Sequence, residues 1–281
     1  MYAFKYHRPD TLRKAVGMLG RLEDAKLLAG GHTLLPTMKN RLASPANIID
    51  ISGIKELKGV TVSGRNIMIG ALTTYAEINQ SAELRAVFPA LADFAGLIGD
   101  PAVRHRGTIG GSISNNDPAA DFPAACLALG AVIITNKRRI PADEFFTGLF
   151  STALEDDEMV VRIGFRAGVR FGYAKFRNPA SRYAMVGVAV AKRGGDVRVA
   201  VTGSGSDGVF RWSEAEARLA ERFSPKSLDG MAHPAEGLNS DIHASAEYRG
   251  HLIGVMARRA VGAAAGRRIE PRHEPLTPVV G

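Results

Sequence analysis

The sequence predicts an α+β protein with an N-terminal domain of two small lobes, residues 1–167 divided near 57, and a C-terminal domain of antiparallel sheet and helices, residues 168–281. Three observations predict it. Short apolar runs alternate with helical periodicity as far as residue 167. Beyond it, two long alternating runs meet at Arg193-Gly194-Gly195-Asp196, which is a hairpin pattern. Two adjacent-glycine passages, at Gly30-Gly31 and Gly110-Gly111, mirror each other within the first domain.

"DTLRKAVGMLGRL" (10–22) places Leu12, Val16, Leu19 and Leu22 on one helical face, with Asp10 as its cap. "AKLLAGG" reads as a short buried strand ending at the first glycine pair, and "NIIDIS" (47–52) as another. "VTVSGRNIMIGAL" (60–72) is a hairpin around Ser63-Gly64-Arg65-Asn66. A helix from Thr74 and a second in "FPALADFAGLIG" follow. The second glycine-rich passage, "RGTIGGSISNNDPAADFPAACLALGA" (106–131), ends in a helix from Pro118 onward. "SEAEARLAERF" and residues 246–266 are helices, the latter with Leu252, Val255, Met256, Ala260 and Ala264 on one face. The tail "IEPRHEPLTPVVG" is Pro-rich and expected to be loose.

Composition excludes several functions. At 281 residues, with 46% hydrophobic and 23% charged, the chain can bury more than one core. No apolar run reaches the roughly 18 residues of a membrane span, and the N-terminus lacks an apolar signal core, so a cytoplasmic location is expected. Cys126 is the only cysteine, which excludes an internal disulfide and a self-contained iron–sulfur cluster. Its apolar surroundings make it a core residue. The seven histidines show no metal-ligand spacing. A net charge of +8 invites a nucleic-acid reading, but the basic residues are dispersed and not interleaved with aromatics. Solubility, or docking of an acidic partner protein, accounts for that charge.

Adjacent glycines permit positive φ and let backbone approach a ligand closely. Their amides can form a nest for phosphate oxygens, with Thr33, Thr108 or Ser112 adding a hydroxyl. Two such loops could clamp a pyrophosphate, while Asp117 and Asp121 accept hydrogen bonds from ligand hydroxyls. Spacing alone equally allows two tight turns and two helix-capping aspartates. "GSGSDG" (203–208) fits GxGxxG literally, but it follows an antiparallel strand and reads as a glycine turn. His32 is a donor or spacer in its loop, not an acid–base catalyst. Arg104 and Arg106 flank His105 before the second loop, where they either favour a ligand's negative charge or are simply solvated.

"LAGGHTLLPTMKNRLASPANIIDIS" and "TIGGSISNNDPAADFPAACLALGA" together closely resemble the FAD-binding medium subunit of molybdenum hydroxylases, of the carbon monoxide dehydrogenase medium-chain type related to the xanthine dehydrogenase flavin domain. The resemblance extends through "YHRPDTL", "YAKFRNPASRYAMVGVAVA" and "EYRGHLIGVMARRAV", nearly the whole chain. It implies a two-lobed FAD-binding fold of the vanillyl-alcohol-oxidase (PCMH) type. It also implies that Ala29, Gly30, Gly31, His32, Thr33 and Leu34 line the flavin's diphosphate, with Thr108, Ile109, Gly110, Gly111 and Ser112 as the second loop. Many relatives have Asn where this chain has Ser112, a shorter side chain whose contact becomes water-mediated. By the same resemblance Asp121 contacts the FAD and Ile98 holds an apolar contact position. Lys175 lies near the flavin edge, with longer spacing after it than in xanthine dehydrogenase. Tyr183 covers one isoalloxazine face.

The resemblance further implies an electron-transferring oxidoreductase subunit. A large partner carries the molybdenum cofactor and a small partner carries iron–sulfur clusters, assembled as a dimer of heterotrimers. The acceptor is NAD, a quinone or oxygen. Because the substrate is recognised on another chain, carbon monoxide, a purine, nicotinate and an aromatic aldehyde are all compatible with this sequence. The rival reading is a free-standing FAD-dependent oxidase or reductase of the same fold, which would need a catalytic cluster over the flavin; none is visible.

Overall fold

The computed structural model describes residues 1–266. The Pro-rich tail and the Arg267-Arg268 pair lie outside the described residues.

The first lobe is a three-stranded sheet of Lys5–His7, Ala25–Leu28 and Asn47–Asp50, with Asn47–Asp50 central and parallel to both neighbours. Helix Leu12–Leu19 lays Leu12, Val16 and Leu19 against Ile49 and Ile51, and Leu22 joins them. Thr11 caps this helix by accepting from the Lys14 amide; the expected cap, Asp10, pairs with the Lys14 ammonium at 2.7 Å instead. Both residue types can cap, and the chain turns one residue later than the pattern suggests.

The second lobe is a five-stranded antiparallel sheet in the order Val60–Ser63, Asn66–Gly70, Val160–Arg166, Val132–Thr135 and Arg139–Pro141. Its central strand arrives last, after the helices that cover the sheet. The helix expected from Thr74 is two helices. Tyr75–Gln80 starts from a capping box of Thr74 and Glu77, and Ser81 ends it while capping Ala82–Val87. Helix Pro89–Gly96 follows. The helix expected from Pro118 begins at Asp121 and runs to Leu129, with Pro123 in its first turn. Every residue of it is buried, including Cys126, whose thiol burial pushes well above its ordinary range.

The C-terminal sheet is antiparallel in the order Arg170–Arg177, Ala184–Arg193, Asp196–Thr202 and Phe210–Arg211. Period-2 alternation gives it two apolar faces. Val186, Val188, Val190, Val197, Val199 and Val201 pack on helices Ser213–Glu221 and Ala246–Ala264. Phe171, Tyr173, Ala189, Ala191 and Ala200 complete the core of the second lobe, where Phe94 meets Phe171 and Tyr173 edge-on. Each fully buried large side chain contributes about 1.5–3 kcal/mol. This shared core fixes the C-terminal sheet over helix Asp121–Leu129. The "GSGSDG" segment is a turn, with positive φ at Gly203 and Gly208. No described helix is long and apolar enough to cross a membrane.

Candidate functional site

The two glycine pairs meet, but they are built differently. Gly31 has φ +78, a conformation that favours glycine. Gly30 has ordinary φ and is required for another reason: a Cβ there would lie 1.9 Å from the Arg106 carbonyl oxygen. The first lobe therefore touches the second backbone to backbone. His32 adds a clasp, its Nε2 donating to the Ala102 carbonyl at 3.1 Å.

The second pair is not a positive-φ loop. Gly110 and Gly111 lie inside a short helix, Ile109–Asn115, capped by the Thr108 hydroxyl, which accepts from the Gly111 amide at 3.2 Å. The Ile109 amide donates to Thr73 O at 3.1 Å, Gly110 to Ala71 O at 2.8 Å and Ser112 to Thr108 O at 3.0 Å. A Cβ at Gly110 would meet Ala71 Cβ at 2.6 Å, so this glycine packs the helix onto the strand end. The expectation of an amide nest in both loops is thus corrected. The amides from Ile109 to Ser112 are already satisfied by protein, and Ile109 and Gly110 are buried. Gly111 and Ser112 remain partly accessible, with Gly111 facing Ala29.

The first loop is the opposite case. Among the described residues, the backbone amides of Gly30, Gly31, His32 and Thr33 have no protein acceptor, and these residues are partly or fully exposed. Thr33 precedes helix Leu34–Lys39 without a side-chain cap. Four successive donors are left to solvent or to a ligand rich in acceptor oxygens. Ile98, expected at a contact position, is buried in the second-lobe core at 7% exposure and offers its carbonyl to Arg104 at 3.1 Å.

Tyr75 links this region to the acidic turn. It stacks on Phe122 at 5.5 Å, and its amide donates to Gly107 O at 3.1 Å. Burial raises its phenol well above the ordinary value. Asp117 accepts from the Ala119 amide at 2.8 Å, and burial raises its carboxyl. Asp121, 3% exposed, is held from the C-terminal sheet. Lys175 donates to its two oxygens at 2.8 and 3.1 Å, and Tyr173 donates to Oδ1 at 2.5 Å. Thr202 reaches the Ala120 and Pro118 carbonyls at 2.7 and 2.9 Å, and the Gly203 amide donates to Pro118 O at 2.7 Å.

Tyr183 is 46% exposed at the end of a tight loop. Asn178 organises that loop, its Oδ1 accepting from the Ala180 and Ser181 amides. Partial burial first, then Asp117 and Asp121, raise the Tyr183 phenol. Asn178, Thr202, Tyr75 and Tyr173 join this cluster and were missed by sequence reasoning. Tyr173 had a signal: it lies two residues before Lys175 on a strand and hence on the same face. Asp117, Asp121, Lys175 and Tyr183 thus gather around the turn that the C-terminal sheet holds, Tyr75 stands between them and Ser112, and Gly111 faces Ala29 of the first loop.

Comparison with known proteins agrees with this architecture. Residues 2–165 match the family described as FAD binding domain in molybdopterin dehydrogenase, and residues 171–264 match the CO dehydrogenase flavoprotein C-terminal domain. The carbon monoxide dehydrogenase medium chain of Hydrogenophaga pseudoflava is 37% identical over 280 residues, covering 94% of this chain and 98% of that one. The nicotine 6-hydroxylase medium subunit of Paenarthrobacter nicotinovorans is 31% identical over 283 residues, with the same coverage of both chains. A solved structure of reconstituted CO dehydrogenase from Oligotropha carboxidovorans superposes with a TM-score of 0.87 at 34% identity, over 95% of this chain and 99% of the other. The chain belongs to the FAD-binding medium subunits of the molybdenum hydroxylases, a family of oxidoreductases.

Proposed function

We propose that this chain holds FAD in the seam between its lobes and its C-terminal sheet. There it relays electrons from an iron–sulfur partner subunit to an external acceptor: NAD, a quinone or oxygen. The observation that carries the reading is the run of amides from Gly30 to Thr33 with no protein acceptor, opposite the accessible Gly111 and Ser112. FAD, when bound, supplies the redox chemistry.

The chain's own residues bind, orient and shield. The Gly30–Thr33 amides grip the diphosphate, with the Thr33 and Ser112 hydroxyls beside them. Asp117 accepts from ligand hydroxyls. Lys175 and Asp121 present a paired charge at the flavin edge, and Tyr183 covers one ring face. His32 is occupied by Ala102 and holds the lobes at the spacing the diphosphate needs. No proton-transfer group is required for this task. The substrate is recognised on a large molybdenum-cofactor subunit: relatives of comparable identity are named for carbon monoxide and for nicotine.

Purification of the full-length chain, alone and with its two companion chains, tests this reading. The expected result is a yellow chain that no organic substrate reduces until the companions are added, with molybdenum and iron only in the complex. Reduction of the lone chain's flavin by an organic substrate would make it a free-standing oxidase or reductase.

A further inference from the structure

Asp121 is held by two residues, and only one of them is accounted for by the function above. Lys175 brings an ammonium to both carboxylate oxygens, and both side chains of the pair are 3% exposed. Tyr173 has no assigned role, yet its hydroxyl makes the shorter contact, 2.5 Å to Oδ1, within the range of charge-assisted O–H···O⁻ bonds. Its placement is built into the sheet. Tyr173 and Lys175 share a face of strand Arg170–Arg177, and Gly187 is the cross-strand partner of Lys175. A Cβ at Gly187 would lie 2.4 Å from the Tyr173 hydroxyl oxygen, so glycine there makes the phenol's position possible. Phe94 clamps the ring edge-on at 4.9 Å. Thr202 and Gly203 hold the turn from which Asp121 projects. The carboxylate is thus held by Tyr173 and Lys175, on a turn that Thr202 and Gly203 fix.

We propose that Tyr173 is a positioning residue of the flavin site: by donating to Asp121 Oδ1 it draws part of the carboxylate's charge away from Lys175 and so sets the net positive field that Lys175 presents to the flavin edge. This rests on the reading that Asp121 and Lys175 lie beside the flavin. A buried carboxylate shared between two donors neutralises the ammonium less completely than one held by that ammonium alone. Charge beside the isoalloxazine is one of the means by which a protein tunes its potential. Burial and the neighbouring Asp121 keep the phenol protonated, and therefore a donor, across the working range.

The test is a spectroelectrochemical titration of the full-length, flavin-loaded chain as wild type, Tyr173→Phe, Asp121→Asn and the double variant, with flavin content measured alongside. Tyr173→Phe is expected to keep its flavin and to shift the midpoint potential downward, because the freed carboxylate then quenches Lys175 more fully. Asp121→Asn and the double variant are expected to have the same potential, since Tyr173 acts through Asp121. Should Tyr173→Phe alone fail to accumulate, the comparison of Asp121→Asn with the double variant can still overturn the inference. A Tyr173→Phe potential equal to wild type while Asp121→Asn shifts would overturn this inference alone. A difference between Asp121→Asn and the double variant would do the same. Wild-type potential and flavin content in Asp121→Asn would overturn the placement of Asp121 at the flavin, and this inference with it.

Discussion

A Cβ at Gly30 would lie 1.9 Å from the carbonyl oxygen of Arg106, and one at Gly110 would lie 2.7 Å from that of Ala71. Both obstacles are backbone, which cannot step aside as a flexible side chain can. Gly30→Ala and Gly110→Ala are therefore expected to destabilise the fold by about 1–3 kcal/mol or more each, read as lowered melting temperatures. Gly31 differs in kind, because its cost lies in φ +78, about 1–2 kcal/mol for a residue with a Cβ. The sequence made all four glycines visible but not this division of labour. Adjacent glycines look alike on paper, and only the approach of Arg106 and Ala71 separates packing glycines from a conformational one. Ile98 and Ile109, named through the resemblance, are both buried in the core.

Among the elements, alternation was the reliable signal. The hairpins at 60–70 and 184–202 stand where their alternating patterns placed them. Helix Ile109–Asn115 was not legible, because its glycines and serines are poor helix formers. What starts it is tertiary: carbonyls of Thr73 and Ala71 receive its first amides, and Thr108 caps it. Similarly, nothing local announces that the end of strand Asp196–Thr202 holds the turn before helix Asp121–Leu129. Thr202→Val tests that joint. The substitution keeps the shape and leaves the Ala120 carbonyl without its hydroxyl donor, at a cost of about 1–3 kcal/mol. A lowered melting temperature together with weakened flavin retention is expected. Loss of stability with unchanged flavin affinity would show that the turn does not shape the site.

For the molecule as a whole, the buried carboxylate of Glu158 contributes to acid sensitivity. Glu158, 4% exposed, accepts from Arg138 at 2.9 and 3.0 Å, from Thr135 at 2.6 Å and from the Glu155 amide at 3.1 Å. The Arg138 hydrogen bonds are the largest cause of its pKa falling from 4.5 to about 2. A depressed carboxyl stabilises the fold above its unfolded value of 4.5, and that contribution fades as the pH falls through about 2. It amounts to about 2 kcal/mol after discounting solvent around the half-exposed Arg138. Denaturant melts of wild type and Glu158→Gln should differ at pH 6 and converge towards pH 2; a gap that stays constant over that window would contradict this assignment.

The proposed cofactor site of the whole chain is held by backbone donors of the first glycine pair. Its most direct measurement is the flavin absorbance of the full-length Gly31→Val and Gly111→Val chains, purified beside wild type and checked for folding by circular dichroism. Folded variants that come off the column colourless, next to a yellow wild type, are the predicted result. Folded variants as yellow as wild type would contradict it.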